Sequence, residues 1–172
     1  MVYAEQTWND FEAGGTPLSA ARLRHIEAGI AEAHRLHHEG WAGTDAARVA
    51  GLEGTTSETF TDLATVGPEV SVEIGSSGKC VVHIRADMRN TLAGGGCVMS
   101  FEGIGPTSVA PITNRAVAAT SSAANDQYWS GGSELLTGLI PGLYVFRAKY
   151  RRFAAGGTAN FAARTIIVTP LA

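Results

Sequence analysis

Between residues 16 and 40 the apolar positions recur at steps of three and four. Leu23, Ile26, Ile30 and Ala33 keep this spacing and His37 continues it, with Leu23 and Ile30 at one seam position and Ile26 and Ala33 at the other. Thr16 is a good N-cap, Pro17 suits the first helical position, where no N–H is needed, and Gly40 is a plausible stop. The pattern predicts a helix whose seam covers barely two heptads. Such a helix is marginal alone in water, so it needs a partner: its own copies, its own β domain, or a docking surface. Gly29 inside it costs about 1 kcal/mol relative to Ala, or else permits close helix–helix approach. Ahead of the helix, Tyr3, Trp8 and Phe11 precede Gly14-Gly15 without periodicity. They read either as packing on their own helix or as a segment that orders against another surface.

After about residue 55 the period changes to two. Val70, Val72 and Ile74 alternate with Ser71 and Glu73, and Cys80, Val82, Ile84 and Ala86 alternate with Val81, His83 and Arg85. With the Gly75–Gly78 turn between them, these runs predict a hairpin with one buried face. Cys97, Met99 and Phe101 form the next inward set. Tyr144, Phe146, Ala148 and Tyr150 alternate with Val145, Arg147, Lys149 and Arg151, giving a strand with a basic outer face. Gly156-Gly157 leads to a last strand pair around Phe161 and 165–168, and weaker strands are expected near 59–63, 117–120 and 134–139. The stretch 104–132 reads as long surface loops. About eight short strands between Gly-, Ser- and Asn-rich turns predict an antiparallel β-sandwich, jelly-roll-like. The expected organisation is a docking segment and helix over 1–40, a linker over 41–54 and the sandwich over 55–172.

Composition agrees with a buried core. Of 172 residues, 45% are hydrophobic and 17% charged, which argues against bulk disorder. A net charge of −3 predicts neither nucleic acid nor an anionic membrane as partner. The N-terminus lacks the basic run and apolar core of a secretory signal, and no stretch approaches the ~18 apolar residues of a membrane span, so folding in cytosol is expected. Two cysteines, Cys80 and Cys97, are expected to be buried and reduced.

The search for chemistry returns little. His34 and His38 share a helix face, and three copies of His37 would meet on a trimer axis to hold a metal or anion. Without a fixed carboxylate or cysteine beside them, they read instead as a solvated helix end, and no metal is assigned. A Ser-His-Asp set from His83 and Asp87 lacks a G-x-S-x-G elbow. Glu69 and Glu73 are not a glycosidase pair without a cleft. Gly94-Gly95-Gly96 lacks the Lys-Ser/Thr of a phosphate loop. Arg147, Lys149, Arg151 and Arg152 read as a charged strand edge that blocks aggregation or faces an acidic neighbour. No catalytic residue and no cofactor is assigned. Tyr128 and Trp129, in the expected loops, are the candidate ligand-binding residues.

The string Thr7-Trp8, Gly14-Gly15-Thr16-Pro17-Leu18-Ser19-Ala20, Leu23, Ile26-Glu27, Gly29-Ile30 and Ala33 resembles the opening of tailed-phage tail-fibre, minor-tail and head-fibre proteins. These carry a tryptophan, a Gly-Thr-Pro turn and a helix of the form Leu-x-x-Ile-Glu-x-Gly-Ile. Where the family often has Asn after the helix leucine, Arg24 stands here, off the seam. Several β-region turns, among them Gly138-Leu139-Ile140-Pro141-Gly142, are similar to terminal domains of actinobacterial phage structural proteins. The resemblance implies a non-enzymatic virion protein assembled in the host cytoplasm and carried on the virion surface. The short chain, with no repetitive shaft, points to a capsid decoration or head-fibre protein. The resemblance further implies a homotrimer with Leu23, Ile26, Ile30, Ala33 and His37 at its interface, and Tyr3, Trp8 and Phe11 docked on the major capsid or tail protein. Two other readings are a minor tail or tail-fibre protein binding a host-surface glycan and, less favoured, a small cell-wall hydrolase.

Overall fold

The computed structural model describes residues 20–153 and 156–171, with only the backbone described at 20 and 35–42. The chain divides into two units, Met1–Ala42 and Gly43–Ala172. In the first, helix α1 spans Ala20–Ala42. It passes the expected stop at Gly40, while Thr16 and Pro17 lie outside the described residues.

The second unit is an antiparallel β-sandwich of nine strands: β1 (Asp45–Val49), β2 (Glu53–Thr55), β3 (Glu69–Ile74), β4 (Lys79–Asn90), β5 (Gly96–Ile104), β6 (Val117–Thr120), β7 (Tyr128–Leu136), β8 (Gly142–Phe153) and β9 (Ala159–Leu171). The first sheet has the order β1-β9-β4-β7, with β2 also on β9; the second has the order β3-β8-β5-β6. From β3 onward the chain crosses between sheets at every connection except β5 to β6, which is the winding of a jelly roll. The expected mostly-β sandwich is therefore the observed fold.

The core lies between the inward rows of the two sheets. Val70, Val72, Ile74, Tyr144, Phe146 and Tyr150 from the second sheet meet Val82, Ile84, Met88, Phe161, Ile166 and Val168 from the first, all buried. The rings interlock: Tyr150 and Phe161 are 4.8 Å apart across the sheets, and Tyr144 stacks at 5.8 Å on Phe146.

Several expectations are corrected. β3 and β4 do not form a hairpin: β3 pairs with β8, and β4 with β9 and β7. Alternation identifies which side chains point inward, and a short turn can as easily carry the chain between sheets as along one. That turn is closed by Gly78 N–H donating to the Gly75 carbonyl at 3.1 Å. Residues 41–54 are no free linker, because they end α1 and then supply β1 and β2, which share one edge of β9. The short Ala-rich run 45–49 lacks strong β-formers, and its pairing is imposed by β9. The last strand is one strand, β9, irregular beside Ala163, which takes a φ of 48°. The expected strand near 59–63 is an irregular segment tied to β8 by paired Thr61 and Tyr150 backbone hydrogen bonds of 2.9 Å.

Candidate functional site

On the helix, Ile26 is 49% and Ile30 45% exposed, Ala33 is exposed and Leu23 half-buried. The seam that periodicity picked out is thus an apolar stripe open over much of its length. The His37 side chain, and Tyr3, Trp8 and Phe11, lie outside the described residues.

The basic strand picked out by sequence is β8. It is no edge: it runs between β3 and β5. Its outward cations are largely matched by carboxylates on neighbouring elements. Arg147 pairs with Glu69 at 2.5 Å and reaches Glu102 at 3.7 Å, and Lys149 pairs with Asp62 at 2.8 Å and Glu102 at 3.0 Å. Arg152 pairs with Glu58 at 2.9 Å, and the Arg151 guanidinium lies 5.2 Å from the Phe60 ring centroid. Burial pulls the Lys149 pKa down, but hydrogen bonds to Asp62 and Glu102 outweigh it and hold the ammonium above its ordinary range. The acids come from β3, β5 and the 56–68 segment, elements whose approach to β8 the sequence pattern does not encode.

The outer face of the first sheet is different. Val81 and Leu135 stand opposite each other on β4 and β7, as do His83 and Ser133, while Ile167 on β9 is the other neighbour of His83. Leu135 is 55% and Trp129 54% exposed. The Arg85 guanidinium sits 4.6 Å over the Trp129 ring. Arg48, Lys79 and Arg85 point outward and are exposed, and none makes an ion pair among the described residues. Asp87, the carboxylate opposite Trp129, is buried beneath Arg89 and Gln127, both at 2.9 Å. Tyr128 and Trp129 are therefore not loop residues; they begin β7. The Tyr128 hydroxyl is 2.7 Å from Ser122 Oγ and closes the 122–127 turn with Asp126, while the Trp129 side chain lies exposed on the sheet face.

One buried group went unremarked in the sequence. Arg164 is fully buried, with its guanidinium 5.4 Å over Tyr150, Nη2 at 3.3 Å from Glu53, and Nη1 donating to the Thr65 carbonyl at 3.4 Å. Its parity with Ile166 and Val168 was the available signal, since three residues in strict alternation share one face. Hydrogen bonds from Thr65, through its hydroxyl and its backbone N–H, hold the Glu53 carboxyl below its ordinary range.

The sandwich assembles no reaction centre from the nominated groups. His83 Nδ1 lies 2.6 Å from Ser133 Oγ, but on an open strand face. Asp87 is four residues further along β4, roughly 13 Å away at about 3.3 Å per residue. A cleft of about 70 Å³ that Ser133 also lines lies between Val82, Phe101, Arg115, Val117 and Glu134. Among the described residues no group of three or more His, Cys, Asp or Glu side chains gathers to hold a metal ion, and no helix is long and apolar enough to cross a membrane. Cys80 and Cys97 are free, buried thiols, and burial pushes both up to about 11.

No family model and no curated protein matches the sequence. The fold is similar to solved structures at low identity. The Eiger TNF of S. frugiperda is 12% identical over 76% of this chain and 94% of that one, with a TM-score of 0.47. The globular domain of zebrafish complement 1qA protein is 10% identical over 76% and 98%, with a TM-score of 0.46. The infectious bursal disease virus VP2 subviral particle is 12% identical over 74% of this chain and 32% of that one, with a TM-score of 0.48. The jelly-roll assignment rests on the strand order described above.

Proposed function

We propose that this chain is a non-enzymatic structural protein of a tailed-phage particle, acting at the virion surface as a capsid decoration or head-fibre protein. The observation that carries the reading is the open stripe of Ile26 and Ile30 on a helix joined to a sandwich whose own core is closed. Leaving two isoleucines half bare forgoes several kcal/mol of burial that association recovers, at about 25 cal/mol per Å². Copies associate as a homotrimer along Leu23, Ile26, Ile30 and Ala33, with His37 continuing the seam. Tyr3, Trp8 and Phe11 attach the assembly to the major capsid or tail protein, and many weak contacts sum by avidity. The protein binds and stabilises and performs no reaction.

Exposed Trp129 beside Arg85 favours one second reading: a minor tail or tail-fibre protein whose first sheet stacks a host-surface sugar. Light scattering on the full chain and on one starting at Gly43 tests the primary reading. The expected mass is three times 17.9 kDa for the full chain, falling to one copy on truncation. A full chain that runs as one copy sinks the helix trimer. Retention on cell-wall carbohydrate, lost in Trp129→Ala, would replace the primary reading with the second.

A further inference from the structure

The cations of β8 are matched by Glu69, Asp62 and Glu102, carboxylates that the chain itself supplies. The outer face of the first sheet has no such supply. Arg48, Lys79 and Arg85 are exposed on it and make no ion pair among the described residues. Among the described residues the one carboxylate at the outward positions of β1, β4, β7 and β9 is Asp87, which is buried and held by Arg89 and Gln127. A chain of net charge −3 therefore carries a face with three bare cations and no exposed acid.

Apolar groups lie between those cations. Val81 stands opposite Leu135, Ile167 flanks His83, and Leu135 and Trp129 are more than half exposed. Arginine among aromatic and aliphatic side chains is the composition that protein–protein interfaces concentrate, and Trp and Arg most often carry their energy. Other anions fit this face less well. A sugar needs free polar groups that converge on its hydroxyls, whereas Ser133 and His83, beside the apolar groups, are bound to each other at 2.6 Å. Lys79 and Arg85 are six residues apart on β4, about 20 Å, and Arg48 and Arg85, both opposite Thr165, are about 10 Å apart. Cations this sparse do not match a duplex with a charge every ~1.7 Å along its axis.

The size of the face decides what kind of contact it makes. Four strands across and six residues along give a footprint of about 14 Å by 20 Å. A stable interface takes about 800 Å² from each partner, so this face holds a neighbour only where another contact already keeps the two together. We infer that the outer face of the first sheet is a second contact with the neighbouring capsid or tail protein, seated on a patch of that protein rich in Asp or Glu and in apolar side chains. This rests on the structural-protein reading above, and it adds the chemistry of the surface that the sandwich meets.

The test uses the full chain with labelled Ile, Leu and Val methyl groups, titrated with a random copolymer of glutamate and tyrosine. The expected result is saturable shifts at Val81, Leu135 and Ile167, with affinity about tenfold lower at high salt and in Arg48→Gln/Lys79→Gln/Arg85→Gln. Polyglutamate, which lacks the apolar groups, should bind several-fold more weakly than the copolymer. The variant changes exposed side chains only, and an unaltered thermal midpoint will show that it is folded. Shifts that are absent, or that fall on the second sheet, would overturn the inference. Polygalacturonate bound as tightly as the copolymer would overturn it in favour of an acidic sugar, and duplex DNA so bound in favour of nucleic acid. Particles lacking this protein supply the second arm: they should bind the triple variant about tenfold more weakly than the wild type, and equal binding counts against the inference. Failure here is distinct from failure of the trimer. A full chain that runs as one copy leaves the methyl shifts in place, whereas shifts that fail in an intact trimer sink this inference alone.

Discussion

The Arg164 guanidinium lies 5.4 Å over the Tyr150 ring, joining β9 of one sheet to β8 of the other through the middle of the sandwich. Tyr150 in turn donates its hydroxyl to the Gly67 carbonyl at 2.9 Å, and Arg164 reaches Glu53 and Thr65. Three stretches distant in sequence, 53–55, 65–67 and β8, are thereby fastened to one buried cation. The Arg164 Nε and Nη2 atoms make no hydrogen bond among the described residues, so the guanidinium is held by charge, by one carbonyl and by the aromatic face.

Arg164→Ala should therefore cost about 3–5 kcal/mol, since it removes the cation from a buried pair and opens a cavity. Arg164→Met, which refills the volume without charge, should cost clearly less. Urea unfolding of the two variants checks this, and a wild-type midpoint for Arg164→Ala would show that the network contributes nothing.

Glu53 gives this network a pH dependence. Its folded pKa lies below its unfolded value, so its contribution is fully present above the unfolded value, near 4.5, and is lost as pH falls through the lowered folded value. Comparing urea midpoints of the wild type and Glu53→Gln should give a gap at pH 6–7 that narrows below about pH 4.5. A gap that widens on acidification would reverse the assignment.

Gly78 takes a φ of 62°, and a Cβ there would stand 2.5 Å from the Leu139 carbonyl oxygen. Gly78→Ala adds a strained backbone to a steric clash, for a loss of about 1–3 kcal/mol. Gly29→Ala, with open space around its Cβ, should instead raise helix stability by up to about 1 kcal/mol. Thermal unfolding of both variants reads the opposite signs.

Cys80 and Cys97 are predicted to resist a thiol reagent in the native protein. Burial raises both to about 11, so at pH 8 the thiolate is scarce as well as shielded. In denaturant both should titrate at once. Rapid native labelling of either would mean that the inter-sheet core opens far more often than its packing implies.

Alternation alone located the inward rows of β3, β4, β5 and β8, because a half-buried strand must place its apolar groups on every second residue. Heptad spacing likewise marked Ile26 and Ile30 as one stripe, and strand number with turn spacing led to the sandwich. Local pattern does not carry partnership. That β3 pairs with β8, that 45–49 and 53–55 share an edge of β9, and that Trp129 stands on a strand were decided only when distant segments met. Charge followed the same rule. The cations of β8 looked like a basic face, yet Glu69, Asp62 and Glu102 neutralise much of it, whereas Arg48, Lys79 and Arg85, unremarkable along the chain, share one open sheet face. Periodicity records which way a side chain points relative to its own strand. Which charge stands opposite it depends on the neighbouring strand, and long-range pairing alone sets that neighbour.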